Sequence, residues 1–178
     1  MNPRSATTLE SRRAYEGDRL SLRIERIQIG RNPAVEREIV EHRGSVVLVP
    51  LTDRGTVLLV RQWRHPVAQV LLEAPAGMLE PGEDPETCAQ RELQEETGHR
   101  ADRLTRLPGF WVAPGWCTEY MHAFQATGLH AAPLPQDVDE DVQVEETPLD
   151  RVPDLIRQGS IQDAKSIAAL LCALHLTK

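Results

Sequence analysis

The chain has 178 residues, 27 acidic against 20 basic, and a formal net charge of -7; the length fits one domain with a real core and a short extension. The acidic balance argues against nucleic acid as a partner, since proteins that grip a polyphosphate backbone gather Lys and Arg on one face. Three unevenly spaced cysteines, Cys88, Cys117 and Cys172, give neither a zinc pattern nor a disulfide framework. With no apolar run of about 18 residues and no apolar core in MNPRSATTLESRRAYEGD, a soluble protein of a reducing, cytoplasmic compartment without membrane contact is expected.

In chain order, residues 1–18 are polar and expected to be loose. Partial alternation from Arg19 to His42 predicts an antiparallel pair of strands ahead of the main domain. SVVLVPL, a turn at Thr52-Asp53-Arg54-Gly55 and TVLLVRQW predict a hairpin. QVLLEAPAG at 69–77 predicts a strand broken by Pro75 and Gly77. A helix is expected from Pro85, with Asp84 as its N-cap and Gly98 just past its end. RLTRLPGFWV and TEYMHAFQAT read as strands joined by a turn at Ala113-Pro114-Gly115-Trp116. Residues 128–142 read as an acidic loop leading into a short strand, VQVEE. A short helix near 150–158 and an amphipathic helix at 163–176, its apolar side formed by Ile167, Leu170, Leu171 and Leu174, complete the chain. Strands that flank helices this irregularly favour an α+β or layered α/β/α domain over a doubly wound parallel sheet.

The stretch 77–98, GMLEPGEDPETCAQRELQEETG, sets Glu80, Glu83, Asp84, Glu86, Glu92, Glu95 and Glu96 against one base, Arg91. At about 100° per residue, Glu92 and Glu96 share a helical stripe with Glu95 beside it. Taken alone, these acids fit an ordinary solvated face, because a like-charge pair at this spacing costs only a few tenths of a kcal/mol.

The spacing says more. Gly77, Glu83 and then Arg91-Glu92-Leu93-Gln94-Glu95-Glu96-Thr97-Gly98 resemble the Nudix box of hydrolases that act on nucleoside diphosphates linked to another group. Seven positions fixed by type match by chance on the order of once in a million chains. One position departs from the pattern: His99 stands where the family carries an apolar residue, and it reads as a side chain at a helix C-terminus, where a cation is welcome.

The resemblance implies a Nudix-type α/β/α sandwich with a mixed sheet over residues 43–178, preceded by a strand extension at 1–42. It implies Mg²⁺, with Mn²⁺ as a substitute, because hard cations take clustered carboxylate oxygens. By the same resemblance Glu92 and Glu96 are the chief metal ligands, Glu95 a further ligand or a holder of water at the metal, and the Ala76 carbonyl another ligand. Glu83 and Arg91 orient the cluster, and Gly77 lets the backbone come close.

VRQWR, EAPAGMLEPGED, APGWCTE and GSIQDAKSIAALL look like the ADP-ribose pyrophosphatase branch, whose marker is a proline at the position of Pro114. This implies hydrolysis of ADP-ribose to AMP and ribose 5-phosphate. Arg64 would contact the diphosphate, with Arg61 or Arg37 assisting, Gly115 would be a further substrate-binding residue, and Glu119 would lie near the terminal ribose or the attacking water. The general base falls among Asp139, Glu140 and Asp141, with Glu140 preferred, although a solvated loop reads equally well there. Trp63, Trp111, Trp116, Phe110 and Tyr120 are candidates for stacking on adenine, or for core. In related enzymes two subunits exchange N-terminal strands, so a homodimer is expected. A GDP-mannose or broad nucleotide-sugar diphosphatase and a non-catalytic nucleotide-sugar sensor are the rival readings.

Overall fold

Two runs without a polar residue, Val46–Val49 and Val57–Val60, are buried along their whole length, as strands covered on both faces are. Each belongs to an inner strand of a different sheet. The computed structural model describes residues 5–136 and 141–176. The chain divides into two compact units, Met1–Gly44 with Trp111–Tyr120, and Ser45–Phe110 with Met121–Lys178.

In the first unit β1 (Ala6–Glu16), β2 (Ser21–Ile29) and β3 (Val35–Glu41) form an antiparallel sheet in that spatial order. The sequence reading missed β1, placing it in a loose tail. Every residue of β1 is exposed, so it is held by main-chain pairing with β2 from Ala6↔Ile29 to Glu16↔Ser21 and leaves no burial pattern to read. The 111–120 segment joins this unit through Val40, whose N–H donates to the Trp116 carbonyl at 2.8 Å and whose carbonyl accepts from Thr118 at 2.9 Å.

The second unit contains, in chain order, β4 (Ser45–Pro50), β5 (Thr56–Arg64), β6 (Gln69–Glu73), β7 (Ala76–Met78), α1 (Pro85–Thr97), β8 (His99–Arg106), the start of β9 (Phe110–Trp111), nearly all of β10 (Tyr120–Ala131), β11 (Gln143–Pro148), α2 (Val152–Arg157) and α3 (Ala164–Leu176). One sheet runs β7-β4-β10-β8, with β4 and β10 parallel and the other pairs antiparallel; the second is an antiparallel β11-β5-β6. Along β4 the side chains alternate. Val46 and Leu48 pack with Leu93, Cys88 and Ala89 of α1, while Val47 and Val49 face the larger core with Leu59, Leu72, Ala169 and Leu170. The expected α/β/α layering with a mixed sheet is found.

Four local expectations change. The 45–63 hairpin keeps its turn, where the Thr52 N–H donates to the Thr56 carbonyl at 2.9 Å, but after the single Leu51↔Val57 bridge the two strands part into different sheets. Because both strands are apolar on both faces, each can be central to a sheet of its own. QVLLEAPAG is two strands, β6 and β7, and the chain changes sheet at Ala74-Pro75. β10 continues through Gly128–Ala131, taken as loop in the sequence, because Leu129, His130 and Ala131 pair with Ala101, Arg100 and His99 at the start of β8. On α3 the buried stripe is Ser166, Ala169, Leu170 and Ala173, with Ile167 and Leu174 packed beside it; Leu171 is outside the core cluster.

Candidate active site

Asp84 starts α1 where its sequence places it: the carboxylate accepts the N–H groups of Glu86 and Thr87 at 3.0 and 3.1 Å, with Pro85 in the first turn. Gly98 ends it at φ +72°, donating to the Gln94 carbonyl. Between these caps the helix buries Cys88, Ala89 and Leu93 against β4 and turns Glu92 and Glu96 toward β7. Their exposures are 7% and 2%, unusual for carboxylates and costly unless polar partners or a cation meet them.

Those partners are on β7 and in Arg91. The Ala76 N–H donates to Glu96 Oε2 at 2.9 Å. Gly77 lies so close to Glu92 that a Cβ there would stand 1.8–2.2 Å from its carboxylate atoms. Only glycine leaves that space. Arg91 donates through Nε and Nη2 to Glu83, both at 3.0 Å, through Nη1 to Glu92 at 2.7 Å and Glu95 at 2.9 Å, and through Nη2 to the Met78 carbonyl at 3.2 Å. One guanidinium therefore joins three of the carboxylates. Its hydrogen bonds hold the Glu83 carboxyl below the usual carboxylate range, while burial pushes the neighbouring Cys88 thiol well up, which makes it an unreactive packing group.

Four carboxylates, three of them bound to one guanidinium and the fourth to the Ala76 N–H, leave an anionic, all-oxygen donor set beside a glycine cradle. That chemistry fits a hard divalent cation. Among the described residues no three His, Cys, Asp or Glu side chains stand in a ready ligand arrangement, so the fit is one of donor type and space.

Residues 41–170 match the model of the NUDIX domain. This chain belongs to the Nudix family. Nudix hydrolases generally need a divalent metal. An ADP-ribose pyrophosphatase of Bacillus subtilis (strain 168) is 36% identical over 165 residues, 92% of this Nudix chain and 89% of that protein. A GDP-mannose pyrophosphatase of Yersinia enterocolitica is 35% identical over 144 residues, 75% of each chain. A solved structure described as an ADP compounds hydrolase shares the fold with a TM-score of 0.85, covering 99% of this chain and 96% of that one at 23% identity. Among the described residues no helix is long and apolar enough to cross a membrane.

The box residues Ala76, Gly77, Glu83, Arg91, Glu92, Glu95 and Glu96 thus come together within the second unit of the Nudix chain. Arg64, in the same unit, is gripped by Glu73. Arg37, Gly115 and Glu119 belong to the first unit: Arg37 donates to the Glu36 carbonyl at 3.1 Å, Gly115 is in the turn closed by Ala113 and Trp116, and Glu119 Oε1 is 4.0 Å from His42 Nδ1. Asp139 and Glu140 lie outside the described residues; Asp141 is exposed. Trp63, Trp111 and Trp116 are exposed by more than half, Trp111 stands edge-on to Tyr120 at 5.0 Å, and Phe110 packs against the core.

Sequence reasoning missed Glu73. Its signal was a lone acid inside the apolar run QVLLEAP. Its carboxylate is 1% exposed and accepts Arg64 Nε at 2.9 Å and Nη2 at 2.7 Å. Burial pushes the Glu73 pKa up, but hydrogen bonds from Arg64 and Lys165 outweigh it and leave it below the ordinary 4.5. A depressed carboxyl contributes stability that is complete above the unfolded-state pKa and is lost as pH falls through the folded one. Glu73→Gln is therefore expected to cost about 2 kcal/mol at pH 7, less than a fully buried pair because Arg64 is partly exposed. Its deficit against the parent should shrink below about pH 4. Urea midpoints at pH 7 and pH 3.5 check this; a constant deficit contradicts it.

Proposed function

We propose that the chain hydrolyses the diphosphate of ADP-ribose to AMP and ribose 5-phosphate with Mg²⁺, for which Mn²⁺ substitutes. The observation that carries this reading is the pair of buried carboxylates, Glu92 and Glu96, packed against Gly77 and the Ala76 N–H. The identity to the B. subtilis ADP-ribose pyrophosphatase across most of both chains supports the choice of substrate. Glu92, Glu95, Glu96 and the Ala76 carbonyl would hold the ion, which when bound offsets the charge of a diphosphate and activates water.

Everything else is the work of the chain's own groups. Arg91 and Glu83 keep the carboxylates convergent through the paired hydrogen bonds described above, so little reorganisation is needed when substrate enters. Arg64 offers a guanidinium whose two-pronged fork matches phosphate oxygens. Arg37 assists Arg64 at the diphosphate, Gly115 lines the substrate, and Glu119 lies near the terminal ribose or the attacking water. Glu140 accepts the proton of the attacking water. The enzyme works as a cytoplasmic homodimer in which residues 1–42 form a strand extension exchanged between subunits, a reading supported by family resemblance.

A second reading, GDP-mannose as substrate, is favoured by the 35% identity to the Yersinia protein. A panel of nucleotide sugars in Mg²⁺ separates them, run on protein whose solution mass is first measured and expected to equal two chains. ADP-ribose should give the highest kcat/KM; a preference for GDP-mannose of about tenfold, or 1.4 kcal/mol in transition-state binding, overturns the first reading.

A further inference from the structure

Behind Arg64 stands a chain of charges that reaches α3. Glu73 Oε2, which accepts Arg64 Nη2, also accepts the Lys165 ammonium. Lys165 Nζ is shared with Asp163 Oδ2 at 2.8 Å. That same Oδ2 accepts the Ser166 N–H at 3.1 Å at the start of α3, and the fully buried Ser166 hydroxyl accepts the Ala74 N–H at 2.7 Å, fixing the peptide that follows Glu73. Two residues further along, the Ala76 N–H holds Glu96.

The geometry explains what the second cation adds. A carboxylate gripped by arginine alone is free to swing with its partner about its own χ angles. A second donor on Oε2, itself anchored by a helix-capping aspartate, removes that freedom. The fork from Glu73 engages Nε and Nη2 of Arg64, and the guanidinium, 36% exposed, keeps its Nη1 edge on the side away from that grip. Two cations and two anions leave the set formally neutral, so Glu73 is not the counter-ion of Arg64 alone. A mere staple between α3 and β6 would be met by the Ser166–Ala74 bond; it does not need a bidentate arginine at its far end.

We propose that Lys165, backed by Asp163, is a positioning residue for the diphosphate: through Glu73 it fixes the plane in which Arg64 meets the phosphates. This rests on the reading of Arg64 as a diphosphate contact. Lys165 acts through Glu73 and Arg64, so its loss should weaken phosphate binding while the reacting centre at Glu92 and Glu96 keeps its turnover.

The test measures the affinity of the α,β-methylene analogue of ADP-ribose by calorimetry, and kcat and KM for ADP-ribose, in the parent, Arg64→Ala, Lys165→Met, Lys165→Arg, Asp163→Asn and the Arg64→Ala/Lys165→Met pair. Lys165→Met should weaken the analogue and raise KM about tenfold with kcat within about threefold, and Lys165→Arg should recover to within about threefold. The double variant should bind within about twofold of Arg64→Ala, because the two residues act in series. Asp163→Asn keeps the capping oxygen but loses the charge that holds Lys165, and should weaken the analogue about threefold or more. If Arg64→Ala weakens binding but Lys165→Met does not, the inference falls and the reading of Arg64 stands. If Arg64→Ala binds like the parent, both fall. Additive losses in the double variant overturn the inference, as does loss of kcat with KM unchanged. Should Lys165→Met fail to fold, Asp163→Asn decides: weakened binding supports the proposal, and parental binding overturns it.

Discussion

Glu96→Gln is expected to lower the turnover of ADP-ribose in Mg²⁺ by about a hundredfold or more, the scale on which removal of one electrostatic group at a reacting centre is felt. The amide keeps the volume of the side chain and an oxygen for the Ala76 N–H, which Glu96 meets at 2.9 Å. It removes the charge that a divalent ion requires. The same change relieves crowding with Glu92 one turn away, so thermal stability measured in chelator should hold or rise. Activity within about threefold of the parent would show that Glu96 is not a ligand. Lost activity together with a lower melting temperature in chelator would instead make Glu96 a structural acid.

Gly77→Ala should be nearly as damaging for a different reason. A methyl at that position would meet the Glu92 carboxylate at 1.8–2.2 Å, far inside any contact a side chain tolerates. Glu92 is 7% exposed and tied to Arg91 at 2.7 Å, so it has nowhere to retreat without dragging the guanidinium and, through it, Glu83 and Glu95. A misplacement of the order of 1 Å costs about a hundredfold in rate, and overpacking of this kind costs about 1–3 kcal/mol of stability. Gly82→Ala is the matched control: it sits at φ +81° with nothing within 4 Å of a Cβ, so its strain should cost about 1–2 kcal/mol and leave kcat close to the parent. Measured kcat and urea midpoints for both variants check the contrast, and equal loss of activity in the two would contradict the cradle.

What the sequence made legible is what the chain decides locally. Asp84, Pro85 and Gly98 mark the ends of α1 because a cap, a fixed φ and a left-handed residue act within one turn. The layering of strands and helices followed from the order of apolar and polar runs, and the mixed sheet from the family resemblance. What stayed hidden depends on partners distant in the chain. Val46–Val49 and Val57–Val60 look alike as text, and only the parallel pairing of β4 with β10 and the antiparallel pairing of β5 with β11 separates them into two sheets. β1 has no buried residue to betray it. Glu73 and Lys165 are far apart in sequence, and neither the amphipathic pattern of 163–176 nor the family likeness of GSIQDAKSIAALL says that the two side chains meet. Even the crowding of acids was half explained from within, since Arg91 meets Glu83, Glu92 and Glu95 before any ion arrives.

The parallel register between β4 and β10, from Ser45↔Met121 to Pro50↔Ala126, bears on the order in which the molecule matures. Every carboxylate of the box leaves the ribosome before the strand that completes the sheet beneath it. In a nascent chain ending short of Met121, the 13-residue α1, too short to persist in water by itself, has β4 and β7 to pack on but not the strand that pairs along the other edge of β4. Closing so long a loop is the slow kind of folding step. Ion affinity should therefore be acquired late in biosynthesis, when the last strand of that sheet has docked.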